Sequence, residues 1–368
     1  MNRMRLIEIF MAGRRVGRMA LTPEGVCGFE YDAEWLRDGF SVSPFFLPLK
    51  PGLTLSRREP FGGNFGVFDD SLPDGWGSLL LDRYLREKGI DPYKLTVLER
   101  LSLVGATGRG ALEYRPDRSV TAGEEFRDFD RLAREAEKLL QEKESEGSVE
   151  LLYRYGGSSG GARPKVFVHT EGRQWLVKFR VSSDPADVGH TEYAYSLLAG
   201  ECGIRMPQTR LFEGRYFGTE RFDRTPEGKV HTVSAAGLLH ADYRIPSFDY
   251  ALLLKLTLNL TRDMEQVAEM FRRMVFNILI SNRDDHAKNF SYQYTGGVWK
   301  LSPAYDLLPG SGFNGYHTTT VNGLGEPARA DVLAVAAGAG LPAQQAARII
   351  EELTERCAAK KMIKYRLK

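Results

Sequence analysis

The stretch SNRDDHAKNF, residues 281–290, places two aspartates, a histidine, a lysine and two asparagines within ten positions. Such a stretch reads either as a solvated polar loop or as a reaction site whose spacing is set by chemistry. The chemistry that suits these residue types is phosphoryl transfer, which asks a protein mainly for positioning and charge. A carboxylate must face the attacking hydroxyl, an asparagine and a second carboxylate must hold magnesium, and a lysine must grip the nucleotide phosphates. Asp284 and Asn289, five residues apart, supply the first two groups, and Asp306 supplies the second carboxylate. Lys178, in WLVK, supplies the lysine, and Glu192 follows as its ion-pair partner.

The order of these residues carries more weight than any one of them. In protein kinases the catalytic loop reads H-R-D-x-x-x-x-N. Asn282-Arg283-Asp284, followed by Asn289, keeps that register with asparagine in place of histidine. Taken singly, Asp306 reads as a cap or turn residue, Lys178 as a strand-edge charge, and YGGSSGGARPK (155–165) as a turn. Together, a glycine-rich loop, strand lysine, helix glutamate, Asp/Asn loop, hairpin and metal aspartate follow the order that phosphotransferases need. VGATGRG (104–110) lacks the G-K-[ST] ending of a phosphate loop and reads as a turn.

The elements that must position these groups fall into four segments. Residues 1–120 read as a mixed unit of short strands, with RLIEIFMAGRRVGRMAL as a hairpin about Gly13 and GVCGFEYD as a further strand. A helix is expected from the N-cap Asp74 through Trp76, Leu80 and Tyr84 to Gly89, and GALEYRP returns as a strand. Residues 121–150 read as a connecting helix and linker, with Phe129, Leu132, Ala136, Leu139 and Leu140 at helical spacing. Residues 151–225 follow as a small lobe: the glycine-rich loop, a hairpin turning at Glu171-Gly172, a helix closing on Gly200 or Gly203, and a hairpin turning at Glu213-Gly214. Residues 226–368 are mainly helical, and Val267, Phe271, Met274, Val275 and Ile278 form one face of a helix that leads into residues 281–290. FSYQYTGGVWKL is then a hairpin, closed by SPAYD. The expected fold is α+β: a bilobal protein-kinase-like arrangement of small strand-rich lobe and large helical lobe, preceded by an N-terminal α+β subdomain.

Composition narrows the setting. The 368 residues are 42% hydrophobic and 27% charged, as in ordinary globular proteins, and a net charge of +2 demands neither nucleic acid nor an anionic membrane as partner. Cys27, Cys202 and Cys357 are scattered, with no CxxC pair, which argues against a disulfide framework or zinc site and for a reducing cytoplasm. The first residues hold too short an apolar run for a secretory signal. The most apolar stretch, ALLLKLTLNL, is broken by Lys255 and falls well short of the ~20 residues needed to span a membrane. The basic tail KKMIKYRLK reads as a solvated helix end or a nucleic-acid contact.

RRVGRMALTPEGVCGFEYDAEWL, FFLPLKPG and FDDSLPDGWG in the N-terminal part, with GGSSGGARPK, TERFDR, DDHAKNFS and LSPAYDLLP in the remainder, carry a resemblance over nearly the whole chain. The sequence resembles the HipA-like serine/threonine kinases, toxins of bacterial type II toxin–antitoxin modules. The resemblance implies that Asp284 is the catalytic base, that Asn289 and Asp306 bind Mg2+, and that Lys178 grips the phosphates of ATP. It further implies that the backbone of Glu220 and Phe222 meets the adenine, that Tyr305 lines the adenine pocket, and that Lys288 and His286 lie near the phosphates. Packing of His286 against its own loop is an equal reading. The loop Gly160-Gly161-Ala162-Arg163-Pro164-Lys165 would cover the phosphates, and Ser158 would be autophosphorylated, with Ser159 as the neighbouring alternative. So glycine-rich a loop has little side-chain packing, and its closed form is expected to rest on backbone contacts to the nucleotide. The implied partners are a HipB-like helix-turn-helix antitoxin, through which DNA is met only indirectly, and a protein substrate in translation such as an aminoacyl-tRNA synthetase. A small-molecule or lipid phosphotransferase and a catalytically idle corepressor scaffold are the alternatives.

Overall fold

The alternation in LIEIFM and RRVGRMAL forms the expected hairpin: β1 (Leu6–Met11) and β2 (Arg14–Leu21) pair antiparallel across a left-handed Ala12-Gly13 turn. In this computed structural model, which describes residues 4–120, 128–143, 147–312 and 314–367, β3 (Cys27–Tyr31), β4 (Thr54–Leu55) and β5 (Glu113–Arg115) complete a sheet ordered β4-β3-β2-β1-β5. The helices beside it are α1 (Ala33–Asp38), α2 (Gly66–Asp69), α3 (Gly75–Glu87) and α4 (Val97–Val104). Thr96 and Glu99 close a reciprocal capping box at the start of α4, satisfying amide groups that the helix itself cannot.

The helix expected in the connecting segment is α5 (Phe129–Leu140), followed by α6 (Ser148–Gly156). Residues 121–127 and 144–146 of that segment lie outside the described residues. Phe129, Leu132, Ala136 and Leu139 are buried as their spacing predicts, whereas Leu140 is exposed, one step off the stripe. Strands β6 (Lys165–Thr170), β7 (Arg173–Lys178), β8 (Thr209–Phe212) and β9 (Tyr216–Glu220) form a second sheet ordered β6-β7-β9-β8. Trp76 and Leu80 of α3, Leu132 of α5, Leu152 of α6, and Val166 and Val177 of this sheet belong to a single core.

By density of contacts the chain divides into two units, residues up to 190 with 210–231, and residues 191–209 with 232–368. The first holds both sheets and α1–α6, together with the short ladder of β10 (Arg224–Thr225) and β11 (Gly228–Lys229). Residues 191–201 of α7 (Val188–Glu201) group with the second, although in sequence they lie between strands of the first.

The second unit is mainly helical, and it also holds short strands that the sequence pattern does not announce. These are β12 (His231–Ser234), β13 (Phe248–Asp249) and, later in the chain, β16 (Thr319–Thr320). After the short α8 (Ala235–Leu239), α9 (Tyr250–Thr261) starts at Asp249, whose carboxylate accepts the Ala251 N–H. α10 (Met264–Ile280) starts likewise at Asp263, and every residue from Arg273 to Ile280 is buried. The hairpin of β14 (Ser291–Thr295) and β15 (Val298–Leu301) turns at Gly296-Gly297 as expected. α11 (Arg329–Gly338) and α12 (Ala343–Ala359) complete the unit. The basic tail follows the end of α12 with Lys360, Lys361 and Lys364 exposed, while the N–H groups of Lys364 and Tyr365 donate to the Leu279 carbonyl near the end of α10, and the Tyr365 hydroxyl donates to Pro327 O. Among the described residues no helix is long and apolar enough to cross a membrane.

Candidate active site

α10 ends because Ser281 turns left-handed, and the chain then enters residues 282–290 without regular pairing. Two buried side chains hold this loop. Asn282 donates to Asn277 Oδ1 and to the Asp306 carbonyl, each at 3.0 Å. Asp285, 1% exposed, gathers the Tyr250 hydroxyl at 2.9 Å, the Thr318 N–H at 2.9 Å and the Thr319 N–H at 3.2 Å, with His317 Nδ1 2.8 Å away. A carboxylate is buried at tolerable cost only when it is hydrogen-bonded this fully. Burial, first, and Asp285, second, push the Tyr250 phenol well above its ordinary range, so it stays a donor. Its neighbour Asp284 is exposed. The adjacent aspartates thus occupy opposite environments, one buried and fastening the loop and one at the surface.

Asn289 ends a single turn of 3₁₀ helix and donates from Nδ2 to the Asp284 carbonyl at 2.8 Å, which leaves its amide oxygen as an acceptor. Asp306 has φ +54°, a left-handed conformation that costs a non-glycine residue about 1–2 kcal/mol. The segment around it is fastened at both ends. The Ser302 N–H meets the Ser291 carbonyl, Arg273 donates to the Ser302 carbonyl, and the Gly310 N–H meets Ser281 O. Asp284, Asn289 and Asp306 are therefore carried by two chain segments that Asn282 ties together.

Tyr305, expected at the adenine, has its hydroxyl 2.6 Å from Ser291 Oγ and donates to the Lys288 carbonyl at 2.7 Å, bracing the same turn from beneath. Lys288 is buried with its ammonium 4.7 Å from the centre of the Tyr243 ring. The His286 ring lies 5.8 Å from that ring, and its Nδ1 is buried with no hydrogen-bond partner among the described residues. Glu192 is buried on α7.

The remaining sequence-predicted residues belong to the first unit. Lys178 ends β7, pairs in register with Lys165 on β6, and holds its ammonium 5.7 Å from the Phe217 ring. Glu220 ends β9 opposite Trp175 and pairs with Arg173 at 3.0 Å. Phe222 follows in a turn that Arg221 and Asp223 fix from either side. Burial raises the Asp223 carboxyl, but Arg221 and Arg224 outweigh it and hold the group well below the usual carboxylate range. Asp223 also accepts the Gly110 N–H, while both arginines donate to Gly108 O, so the turn at VGATGRG anchors this strand end.

The glycine-rich loop is not loose, contrary to its composition. Asp74, at the N-cap of α3, accepts the Gly161 N–H instead of capping its own helix, and the Gly161 carbonyl accepts the Trp76 N–H at 2.9 Å. Lys165 donates to Gly160 O, Arg163 pairs with Asp184 at 2.9 Å, and Ala162 is exposed. Ser158 is half-buried, donates to Thr107 O, and lines a cavity of about 270 Å³ with Arg154, Tyr155, Arg221, Arg224 and Lys229. Ser159 is 1% exposed and bonded to Gly156 O.

Sequence reasoning named Asn282 only as the asparagine in the place of the kinase histidine; it did not single out Asp285, Tyr250, His317 or Asp223, and it took Asp74 for a helix cap alone. Asp285 gave a signal in standing beside Asp284, but spacing does not say which of two aspartates is buried. Asp74 bonds a residue 87 positions away, which no local pattern encodes.

Residues 157–361 match the family model of the HipA-like C-terminal domain, and residues 7–115 match that of the HipA N-terminal domain. "Putative kinase Y4dM" of Sinorhizobium fredii (strain NBRC 101917 / NGR234) is 26% identical over 335 residues, covering 84% of this chain and 78% of its own. Y4mE, of the same name type and strain, is 25% identical over 339 residues, covering 83% and 77%. The toxin of the Shewanella oneidensis MR-1 complex of HipA, HipB and operator DNA has a TM-score of 0.73 at 16% identity, covering 97% of this chain and 91% of its own. That likeness shows a common mixed α/β fold.

Proposed function

We propose, from the premise that this chain belongs to the HipA-like family, that it is an ATP- and magnesium-dependent serine/threonine protein kinase acting as a growth-inhibiting toxin. One observation carries the reading. Asp284 and Asn289 share a loop that Asp285 fastens from below, and Asn282 joins that loop to the segment bearing Asp306. The two relatives named as kinases support it.

In this reading Asp284 accepts the proton of a serine or threonine hydroxyl as the hydroxyl oxygen bonds to the γ-phosphorus. The bond to the β–γ bridging oxygen then breaks and ADP departs. Asn289 and Asp306 would hold magnesium through an amide oxygen and a carboxylate, hard oxygen donors of the kind the ion takes. Among the described residues no group of three or more His, Cys, Asp or Glu side chains is placed to hold a metal. A two-ligand set suits magnesium, which keeps waters and substrate phosphates as its other ligands. When bound, the ion would neutralise charge on the phosphates. Lys178 would grip the phosphates from β7, and the strand end at Glu220 and Phe222 would meet the adenine. Lys288 and His286 would flank the phosphates, and Tyr305 would support this loop as well as line the base pocket.

A translation component such as an aminoacyl-tRNA synthetase is the proposed substrate. The proposed partner is a HipB-like helix-turn-helix antitoxin, in keeping with the solved Shewanella complex. Ser158 is the proposed site of autophosphorylation, favoured over Ser159 because Ser159 is buried and bonded within its own turn. Incubation with labelled ATP, magnesium and a cell lysate tests the whole reading. A labelled protein band, with label on this chain mapping to Ser158, is expected. A labelled metabolite in its place would mean a small-molecule or lipid phosphotransferase, and no label at all a scaffold.

A further inference from the structure

The contact between Asp74 and the glycine-rich loop is more than packing. We infer that Asp74 is an internal competitor of the nucleotide: its carboxylate occupies the Gly161 N–H that the loop would offer to a phosphate, and so it sets the affinity for ATP. The inference rests on the proposed reading of residues 160–165 as the loop that covers the phosphates.

Three observations carry it. First, the bond is misplaced for a helix cap. Asp74 stands at the N-cap of a thirteen-residue helix, where an aspartate ordinarily accepts an amide from its own first turn, yet its side chain makes no capping bond. It reaches instead across to the Gly161 N–H.

Second, the segment Asp74–Gly77 is shaped to receive the loop. Gly75 has φ +43°, and a Cβ built there would lie 2.6 Å from the Gly161 carbonyl oxygen. A Cβ on Gly77 would lie 2.1 Å from the Ser159 carbonyl oxygen. Backbone rests on backbone here, and any side chain at either position would push the two apart. Trp76 bonds the loop twice, through its N–H to the Gly161 carbonyl and through Nε1 to Lys165 O.

Third, three groups with which this loop would meet a phosphate are engaged within the chain. The Gly161 N–H is held by Asp74, the Lys165 ammonium donates to Gly160 O, and the Arg163 guanidinium pairs with Asp184. A phosphate and a carboxylate are both anionic acceptors and seek the same donor. They cannot share a single N–H at full strength, and their charges repel at that distance. ATP must therefore displace Asp74 before the loop can close on it. Gly75 and Gly77 let the loop dock, and the carboxylate holds it there.

The test uses the full chain. A non-hydrolysable ATP analogue with magnesium, and separately adenosine, are titrated into the wild type, Asp74→Asn and Asp74→Ala, each first checked for an unchanged thermal transition. Breaking a charge-assisted hydrogen bond costs enough that Asp74→Ala should bind the analogue about tenfold more tightly. Asp74→Asn, which keeps the shape and a neutral acceptor, should fall between. Adenosine carries no phosphate and should bind all three alike, a split that mere loosening of the loop would not produce. Analogue binding equal to or weaker than wild type in both variants would overturn the inference while leaving the kinase reading intact. A wild type that bound neither ligand would overturn both.

Discussion

Asp284 and Asp285 are adjacent, chemically identical, and should fail in opposite ways. Asp285→Asn keeps one carbonyl oxygen for the Thr318 and Thr319 N–H groups but turns an amide nitrogen toward the Tyr250 hydroxyl and His317 Nδ1. Hydrogen bonds to a charged group contribute about 1.5–3 kcal/mol each; all four lose the charge, and the two at the amide nitrogen also lose their acceptor, although the Tyr250 hydroxyl can rotate to recover part. The expected destabilisation is about 2–4 kcal/mol. Asp284→Asn, at an exposed position, should change stability by no more than about 0.5 kcal/mol. Its turnover should nevertheless fall by roughly 10²–10⁴, because the proton acceptor is gone. Urea unfolding read by circular dichroism gives the first quantity, and phosphorylation of a protein substrate by the same preparations gives the second. A wild-type unfolding midpoint for Asp285→Asn would refute the view that this carboxylate fastens the loop. Near-normal turnover in Asp284→Asn would remove Asp284 from the site.

Asp306→Asn retains a residue that tolerates the left-handed backbone but removes its charge, so the magnesium-dependent part of ATP binding should vanish; unchanged magnesium dependence in a titration would place the metal elsewhere. Expression of the wild-type chain alone should arrest growth and Asp284→Asn should relieve the arrest, whereas equal toxicity would point to a scaffold. His231 is buried against Val42 O, and burial depresses its imidazole to about 4. The unfolded state therefore binds the extra proton first, so this histidine's contribution to stability is fully present above about pH 6.5 and declines as pH falls toward 4. Urea midpoints at pH 7 and pH 5 should differ in that direction, and equal midpoints would mean that this histidine is not held neutral.

The elements legible in the sequence are those whose cause is local. Ala12-Gly13, Glu171-Gly172 and Glu213-Gly214 each mark a tight turn between alternating runs, and all three hairpins form. Val267, Phe271, Met274, Val275 and Ile278 repeat at helical spacing and are all buried on α10. The loop position of Asp284 and Asn289 followed from the helix before them and the hairpin after. What stayed hidden depends on distant partners. β13 and β16 are two residues each and exist only because they pair across 71 positions, Phe248 with Thr319 and Asp249 with Thr320. The burial of Asp285 depends on Tyr250, His317 and the backbone beyond, none of them its neighbour in sequence. The glycine-rich loop read as loose because glycine count measures what a segment lacks, not what another segment brings to it.

The shared core of α3, α5, α6 and the β6–β9 sheet bears on how such a protein can be divided. A fragment begun after residue 120, meant to keep only the nucleotide-handling half, would strip Trp76, Leu80, Leu81 and Leu85 from the cluster that also buries Val166 and Val177. It would lose Trp76 as donor to Lys165 O and Asp74 as acceptor for Gly161 at the same stroke. The N-terminal segment is thus no detachable accessory. Domain-swapped hybrids between relatives should be tolerated only when residues 73–88 and the glycine-rich loop are taken from the same parent.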